Sequence, residues 1–582
     1  MRYRKVFHFP KNRLYRMGAL LLGCIVLLVM AGVDPVLADP DSDMLRRIRA
    51  RISAETNALL AGASREELED VAAFYTLRNE RRAWTHAGGW TDAGRDAIAC
   101  ITSASRDGLE PERYHLARLL ALEMSFRNAA SRSEPPFDWD VVLTHGLTRL
   151  LRHLAYGRVH PDRIDDQWFA PKPVDRDIAS LAAGAADSGR VREVIDALLP
   201  THPGYARLRE ALVSYRNIQR SGGWPIVPSG EAIRPGESDA RIPTVRRRLS
   251  VTDGPMSASS KNPDVYDTAL VNAVKRFQKR HGIADDGVLG PKTIQAMNVP
   301  VETRIQQILL NLERWRWLGQ DWGMRHIAVN IADYSLEAVE SGKAVLNMRV
   351  VVGQTYRRTP VFSERLRYIV LNPYWNVPKK IAVEDKLPLI KKDPGYLIRN
   401  RIHVFSARGD ENGPEINPYT IDWSKLHADY FPYRLKQDPG DRNALGRIKF
   451  LLPNKYAIFL HDSPQRQLFQ RTVRGYSSGC IRLEKPVDLA VEVLKNAPEW
   501  NRERILSTIQ SGITTVIPVR EPIMVHLLYW TAWVDEQGVV NFREDIYDRD
   551  RPLWIALQDA GTGTSDPKSI SMGELVVKPD PS

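Results

Sequence analysis

Two residues in the C-terminal third have the types and spacing of a nucleophile and its base. Cys480 stands in "YSSGCIRLEKP", one of three cysteines in 582 residues, and His461 ends the run "KYAIFLHD" nineteen residues upstream. A nucleophilic thiol must ionise at the moment of attack, which an adjacent imidazole and nearby backbone N–H groups promote. Gly479 lets the chain turn tightly, and the N–H groups of Gly479 and Cys480 could face a developing oxyanion, a contribution of a few kcal/mol to the barrier. These are the parts of an acyl-transfer site. The alternative is a buried thiol beside a strand-end histidine, or a Cys100–Cys480 disulfide. Cys100 sits in the apolar helical pattern "RDAIACITSASRDGL", whereas Cys480 lies among glycine and serine. That difference argues against a bridge.

Export is the next expectation. Arg2, Arg4, Lys5, Lys11, Arg13 and Arg16 precede the apolar run Met17–Val33, and Val36 and Ala38 suit cleavage before Asp39. Residues 1–38 therefore read as a signal peptide or, uncleaved, as an inner-membrane anchor. Cys24 has strongly apolar residues after it, unlike a lipoprotein. A hydrophobic content of 43% and charged content of 26% are those of a globular protein. The length calls for more than one domain. The net charge of +12 is scattered beyond the N-terminus and calls for no nucleic-acid partner.

The elements that must hold the pair are legible in outline. Residues 43–220 show apolar spacing of three and four, as in "VVLTHGLTRLLRHLAYG", and read as helical. His115, His145 and His153 there lack metal-ligand spacing and read as structural. "GGWPIVPSGEAIRPGESD" marks a boundary, after which residues 240–300 form a small helical unit. The turn "ADDGVLGPKT" has too few alternating oxygen ligands for a calcium loop. Short strand-like runs begin near Arg325 and define a domain over 325–560. Within it, residues 380–446 form a long insertion with weak strand character, expected to be a lid or binding loop. Residues 561–582 read as a disordered tail.

The stretch "HDSPQRQLFQRTVRGYSSGCIRL" resembles the signature of L,D-transpeptidases with a YkuD-type catalytic domain, in which a histidine precedes a Ser-x-Gly-Cys-x-Arg element. Many members carry a histidine just before the Gly-Cys pair; Ser478 there is similar to the large YcbB-like Gram-negative subgroup. "YDTALVNAVKRFQKRHGIADDGVLGPKTIQAMN" looks like a three-helix peptidoglycan-binding domain. "FYTLRNERRAWTHAGGW", "RDGLEPERYHL" and "AYGRVHP" resemble that subgroup's scaffold, and "VLNPYWNVP" the strand entering its capping insertion.

The resemblance implies a multidomain α+β protein: helical scaffold, peptidoglycan-binding-like unit, and mainly-β catalytic domain with a capping insertion. It implies 3→3 crosslinking of diaminopimelate residues in peptidoglycan stem peptides through a Cys480 thioester, with His461 as base and no metal or organic cofactor. A backbone carbonyl near Asp462 would orient the imidazole. Ser478, Arg482, Tyr476 and Trp375 would line the substrate groove, an ion-pair role being the alternative for Arg482. A periplasmic location and sensitivity to carbapenems follow from the same resemblance. Hydrolysis of the same stems as an L,D-carboxypeptidase, or a non-catalytic wall-binding scaffold, are the competing readings.

Overall fold

The computed structural model describes residues 43–559, apart from 129–134, 171–172, 257–261, 320–321 and 409–412. The expected signal or anchor and the C-terminal tail lie outside the described residues. Among the described residues no helix is long and apolar enough to cross a membrane.

Short, well-capped helices build the N-terminal block. Ser64 and Glu67 form a reciprocal capping box on Arg65–Leu77, and Thr91 caps Asp92–Ser103. They pack on the apolar helix Phe137–Tyr156. Buried Asp140 accepts from the backbone N–H groups of Ala83 and Trp84 and from the Tyr75 hydroxyl, fixing the turn into a two-residue hairpin. His115 and His145 stack, their ring nitrogens 2.8 Å apart.

Two boundaries differ from expectation. The Gly/Pro-rich stretch before residue 240 is part of the small helical unit: Val227 and Ile233 enter its core, and Asn298 bonds both backbone groups of Val227. A helix over Val301–Arg316 occupies the interval left unassigned between the small unit and the strand-rich domain. It carries buried polar side chains that tie the other parts together. Glu313 pairs with Arg316, which donates to the Asp107 carbonyl of the scaffold; Arg314 pairs with Asp550 and Asn311 bonds Thr531 of the C-terminal region. Breaking such a buried pair leaves an uncompensated charge, so this helix fixes the domains relative to one another.

Val- and Ile-rich segments then form a ten-stranded sheet: β1 (Trp168–Phe169), β2 (Arg325–Asn330), β3 (Ser335–Glu340), β4 (Lys343–Gly353), β5 (Val361–Leu371), β6 (Ile448–Leu451), β7 (Leu460–His461), β8 (Gly475–Ser477), β9 (Ile481–Leu483) and β10 (Thr515–Leu528). The pairings β6–β7–β9–β4–β3–β2–β10–β5 close on themselves through β5–β6, with β8 added to β4 and β1 to β5. Strand β1 comes from the scaffold block, an edge contribution with no period-two pattern long enough to read in the sequence. Inward residues such as Val350, Val352, Ile369, Phe450, Leu460 and Ile481 fill the interior.

The insertion is a folded subdomain rather than a loop. Trp375–Val377, Tyr433–Gln437 and Ile402–Ser406 form an antiparallel three-stranded sheet around a core of Leu387, Ile390, Leu397, Val404 and Trp423. It therefore begins before residue 380. Its neck is closed where Asn372 donates to the Arg447 carbonyl, one pair away from Ile448↔Leu371.

Burial drives the histidines of the helical regions toward the neutral form. His115 and His145 are pushed down to about 3, and His153 and His281 well below the usual imidazole value. A group depressed in the folded state contributes stability that is complete above its unfolded value near 6.5 and lost as pH falls below it, by about 1.4 kcal/mol per pH unit per histidine. Asp70, raised to about 6 by burial, works in the opposite direction, as do the raised carboxyls of Asp107, Asp140, Glu337 and Asp550 and the ion-paired His403; His202, His326 and His461, depressed like the first four, add to the histidine side. The melting temperature should therefore fall steadily from pH 7 to pH 5. A pH-independent melting temperature over that window would contradict the buried neutral histidines.

Candidate active site

The site grows out of one row of residues that crosses the sheet. Register places Val516, Val370, Lys449, His461, Arg482 and Val351 side by side on β10, β5, β6, β7, β9 and β4. Paired residues project to the same face. Their neighbours Ile448, Phe450, Leu460, Ile481 and Leu483 point into the core, so Lys449, His461 and Arg482 project from the opposite face. Cys480 lies one residue before β9, where the Ile481 N–H donates to the Phe459 carbonyl. Alternation puts it on the face of Arg482 and His461.

The turn that presents Cys480 is held from behind. Gly479 has φ of +114°, and a Cβ there would come within 2.9 Å of the Ile458 side chain. Only glycine suits that conformation without strain. The Gly479 carbonyl accepts from Thr359 Oγ1 at 2.8 Å, and Thr359 Oγ1 in turn accepts from the Gly353 N–H at 2.9 Å. Ser477 Oγ donates to the Cys480 carbonyl at 2.6 Å and accepts from the Gly479 N–H at 3.1 Å. This corrects the expectation of two oxyanion donors: the Gly479 N–H is engaged by Ser477, while the Cys480 N–H has no partner among the described residues. Both Cys480 and Cys100 are free thiols.

His461 is 4% exposed, and its Nδ1 lies 2.5 Å from the Asp462 carbonyl. A carbonyl only accepts, so Nδ1 carries the proton and Nε2 keeps its lone pair. Burial lowers the imidazole to about 3, aided by the charge of Arg482 and, more weakly, of Lys449, and opposed by backbone hydrogen bonds to Asp462 and Leu445. Burial raises the Cys480 thiol above its ordinary value; a Phe459 backbone hydrogen bond and the charges of Lys449 and Arg482 oppose that rise. The resting pair is thus thiol and neutral imidazole. Cys480 Sγ approaches the Ala457 carbonyl at 3.8 Å, and no hydrogen bond joins it to the His461 ring among the described residues. Such contacts commonly tighten only when substrate is bound.

The remaining expected residues divide. Arg482 is in the row beside His461, with Nη1 donating to Gln465 Oε1 at 2.6 Å and no carboxylate partner among the described residues. Ser478 borders Cys480 and accepts from Arg357 Nη1 at 2.8 Å. The same guanidinium pairs with Asp385 and Glu384 of the insertion at 2.6 and 2.7 Å, so it clamps that subdomain to the Cys480 turn. Tyr476 presents its hydroxyl to Arg471 at 3.1 Å. Trp375 does not join them: it is 7% exposed within the insertion's own core, because alternation along its strand turns it inward. Sequence reasoning missed Lys449, Arg357, Thr359 and Ser477. Lys449 alone left a signal, a cation alternating with apolar residues in "RIKFLLP".

With thiol and imidazole both neutral at rest, alkylation of Cys480 by iodoacetamide should keep accelerating with pH beyond about 8.5, the ordinary thiol value. A rate already flat from pH 5 upward would show a preformed thiolate–imidazolium pair and contradict the geometry.

Comparison with known proteins matches the three regions separately. Residues 324–509 match the model described as "L,D-transpeptidase catalytic domain" (YkuD), residues 69–212 a "Scaffold domain", and residues 241–297 a "Putative peptidoglycan binding domain". A "Putative L,D-transpeptidase" of Haemophilus influenzae is 38% identical over 279 residues, which are 47% of this chain and 55% of that protein. The chain thus matches only about half the length of that relative. The crystal structure of an L,D-transpeptidase from Xylanimonas cellulosilytica aligns over 52% of this chain and 99% of its own, at 14% identity and a TM-score of 0.16. The family models and the curated relative agree: residues 324–509 match the L,D-transpeptidase catalytic domain, with matches to a scaffold domain and a peptidoglycan-binding domain ahead of it.

Proposed function

We propose that this chain forms 3→3 crosslinks between diaminopimelate residues of peptidoglycan stem peptides through a thioester on Cys480. The observation that carries this reading is the pairing of β7 with β9, which sets Cys480 and His461 on one face beside an unengaged backbone N–H.

On this reading Cys480 Sγ attacks the carbonyl of the diaminopimelate residue at position three of a donor stem. His461 Nε2 takes the thiol proton as the C–S bond forms; the Asp462 carbonyl holds the ring in the tautomer that permits this. The neutral resting pair suits the step, since charge separates only as the bond forms. The Cys480 N–H donates to the oxyanion. Collapse expels D-alanine, whose nitrogen receives the proton from His461. The amine of a second stem then gives a proton to His461, attacks the thioester and releases the thiol. No step calls on a metal or organic cofactor.

The insertion supports transfer over hydrolysis. Its Asp385 and Glu384 are tied through Arg357 to Ser478, which holds a folded subdomain close to the nucleophile and limits water there. The substrate would place the protein in the periplasm, exported or anchored by residues 1–38.

Incubation with tetrapeptide-bearing muropeptides, followed by mass spectrometry, tests the proposal. Dimers linked through two diaminopimelate residues should form, and Cys480→Ala should abolish them, a loss of at least about 1,000-fold for removal of a covalent nucleophile. Tripeptide monomers without dimers would establish the carboxypeptidase instead. Dimers from the Cys480→Ala protein would overturn the assigned chemistry.

A further inference from the structure

Lys449 is a charged group at the site that the reaction above leaves without a task. Its register partner is His461, on the side away from Arg482. Its neighbours Ile448 and Phe450 are fully buried in the sheet interior, so its side chain runs over the opposite face with that of His461. The ammonium lies 3.9 Å from the centroid of the Phe459 ring, and Phe459 is the residue whose carbonyl receives the Ile481 N–H next to Cys480. The side chain is half-buried, yet among the described residues it has no carboxylate and no hydrogen-bond acceptor. The nearest acid in sequence to His461, Asp462, is engaged by the Arg447 N–H and by Arg466.

Near the site Arg357 is neutralised by Asp385 and Glu384 and Arg349 by Glu484, whereas Arg482 donates to Gln465 and Lys449 meets neither an acid nor an acceptor among the described residues. A partly desolvated charge costs free energy unless it is paired. Lys449 is restrained by an aromatic face instead, which holds the ammonium in place while leaving N–H donors on its outer side for a ligand.

The reacting partners supply a matching anion in a fixed place. The leaving nitrogen must reach His461 to collect its proton, and the α-carboxylate of the departing residue is attached two bonds from that nitrogen. Adjacent strands are about 4.8 Å apart. A carboxylate two bonds beyond a nitrogen at His461 therefore falls within reach of the next residue in the row. The incoming amine of diaminopimelate has the same arrangement, an amine and a carboxylate on one D-configured carbon. One cation at that distance would serve both half-reactions.

We propose that Lys449 binds the free α-carboxylate of the D-amino-acid unit that leaves in the first half-reaction and of the one that enters in the second. It is thus a specificity-determining residue: it favours donor stems that end at the fourth residue over stems in which that carboxylate is masked by a further residue. The pairing adds no covalent step. The C–N bond broken in acylation and the one formed in transfer are those already described, and each proton moves through His461.

The inference rests on the acyl-transfer reading, and the experiment separates the two. Thioester formation on the full chain is followed by intact mass with two synthetic donors, a tetrapeptide stem with a free terminal carboxylate and the same stem ending in a carboxamide. The unmodified protein should favour the free carboxylate in kcat/KM by about 30-fold or more, the size expected for a hydrogen bond between charged groups. Lys449→Met should bring the ratio to within about three of unity, mainly by slowing the carboxylate donor, and Lys449→Arg should restore most of it. Equal rates with the two donors in the unmodified protein, or an unchanged ratio in Lys449→Met, would overturn the role of Lys449. Absence of any thioester with either donor would instead defeat the acyl-transfer reading on which the inference stands.

Discussion

The site depends on a parallel pairing only two residues long, Leu460 with Ile481 and His461 with Arg482. A slip of one residue would turn His461 into the core and Leu460 outward, because side chains alternate with period two. So short a pairing cannot hold its own register. It is fixed from both sides, by β6 through Lys449 and Phe450 and by β4 through Val350 and Val351, and by the apolar pair Leu460 and Ile481 beneath it. The closed circuit of strands therefore matters to the site as well as to stability: among the described residues it leaves no free edge near Cys480 along which β7 could shift.

Electrostatics follow from the same register. Flanking His461 with Lys449 and Arg482 in one row places two cations around a buried imidazole and beside a thiol. Their charges depress the imidazole and favour the thiolate, opposing the effect of burial on Cys480. On the proposed mechanism, proton transfer then waits for the substrate carbonyl. A thiol kept neutral at rest is also less open to oxidation, since the thiolate is the form that oxidises.

Much of this was legible in the sequence, for identifiable reasons. Chemistry-bearing residues stood out because Cys480 sits among glycine and serine and His461 ends an apolar run. The helical block, small unit and strand-rich domain could be read from periodicity, which reports local structure. What escaped was set by tertiary contacts. Val227 and Ile233 lie in a Gly/Pro-rich stretch that reads as a linker but enters a core. The insertion looked like a loop because its three strands are short and far apart in sequence. The Gly479 N–H looked free because only the folded turn brings Ser477 Oγ to it, and Trp375 looked like a groove residue until its strand alternation turned it inward.

The central claim is that Cys480 carries the acyl group, and direct localisation of that group tests it best. A tetrapeptide donor should be mixed with the protein, quenched in acid after partial turnover, and digested for mass spectrometry. The account predicts one modified peptide, containing Cys480 and heavier by the tripeptide acyl group without the terminal D-alanine. An acyl group on any other residue, or turnover with no covalent species at Cys480, would contradict it.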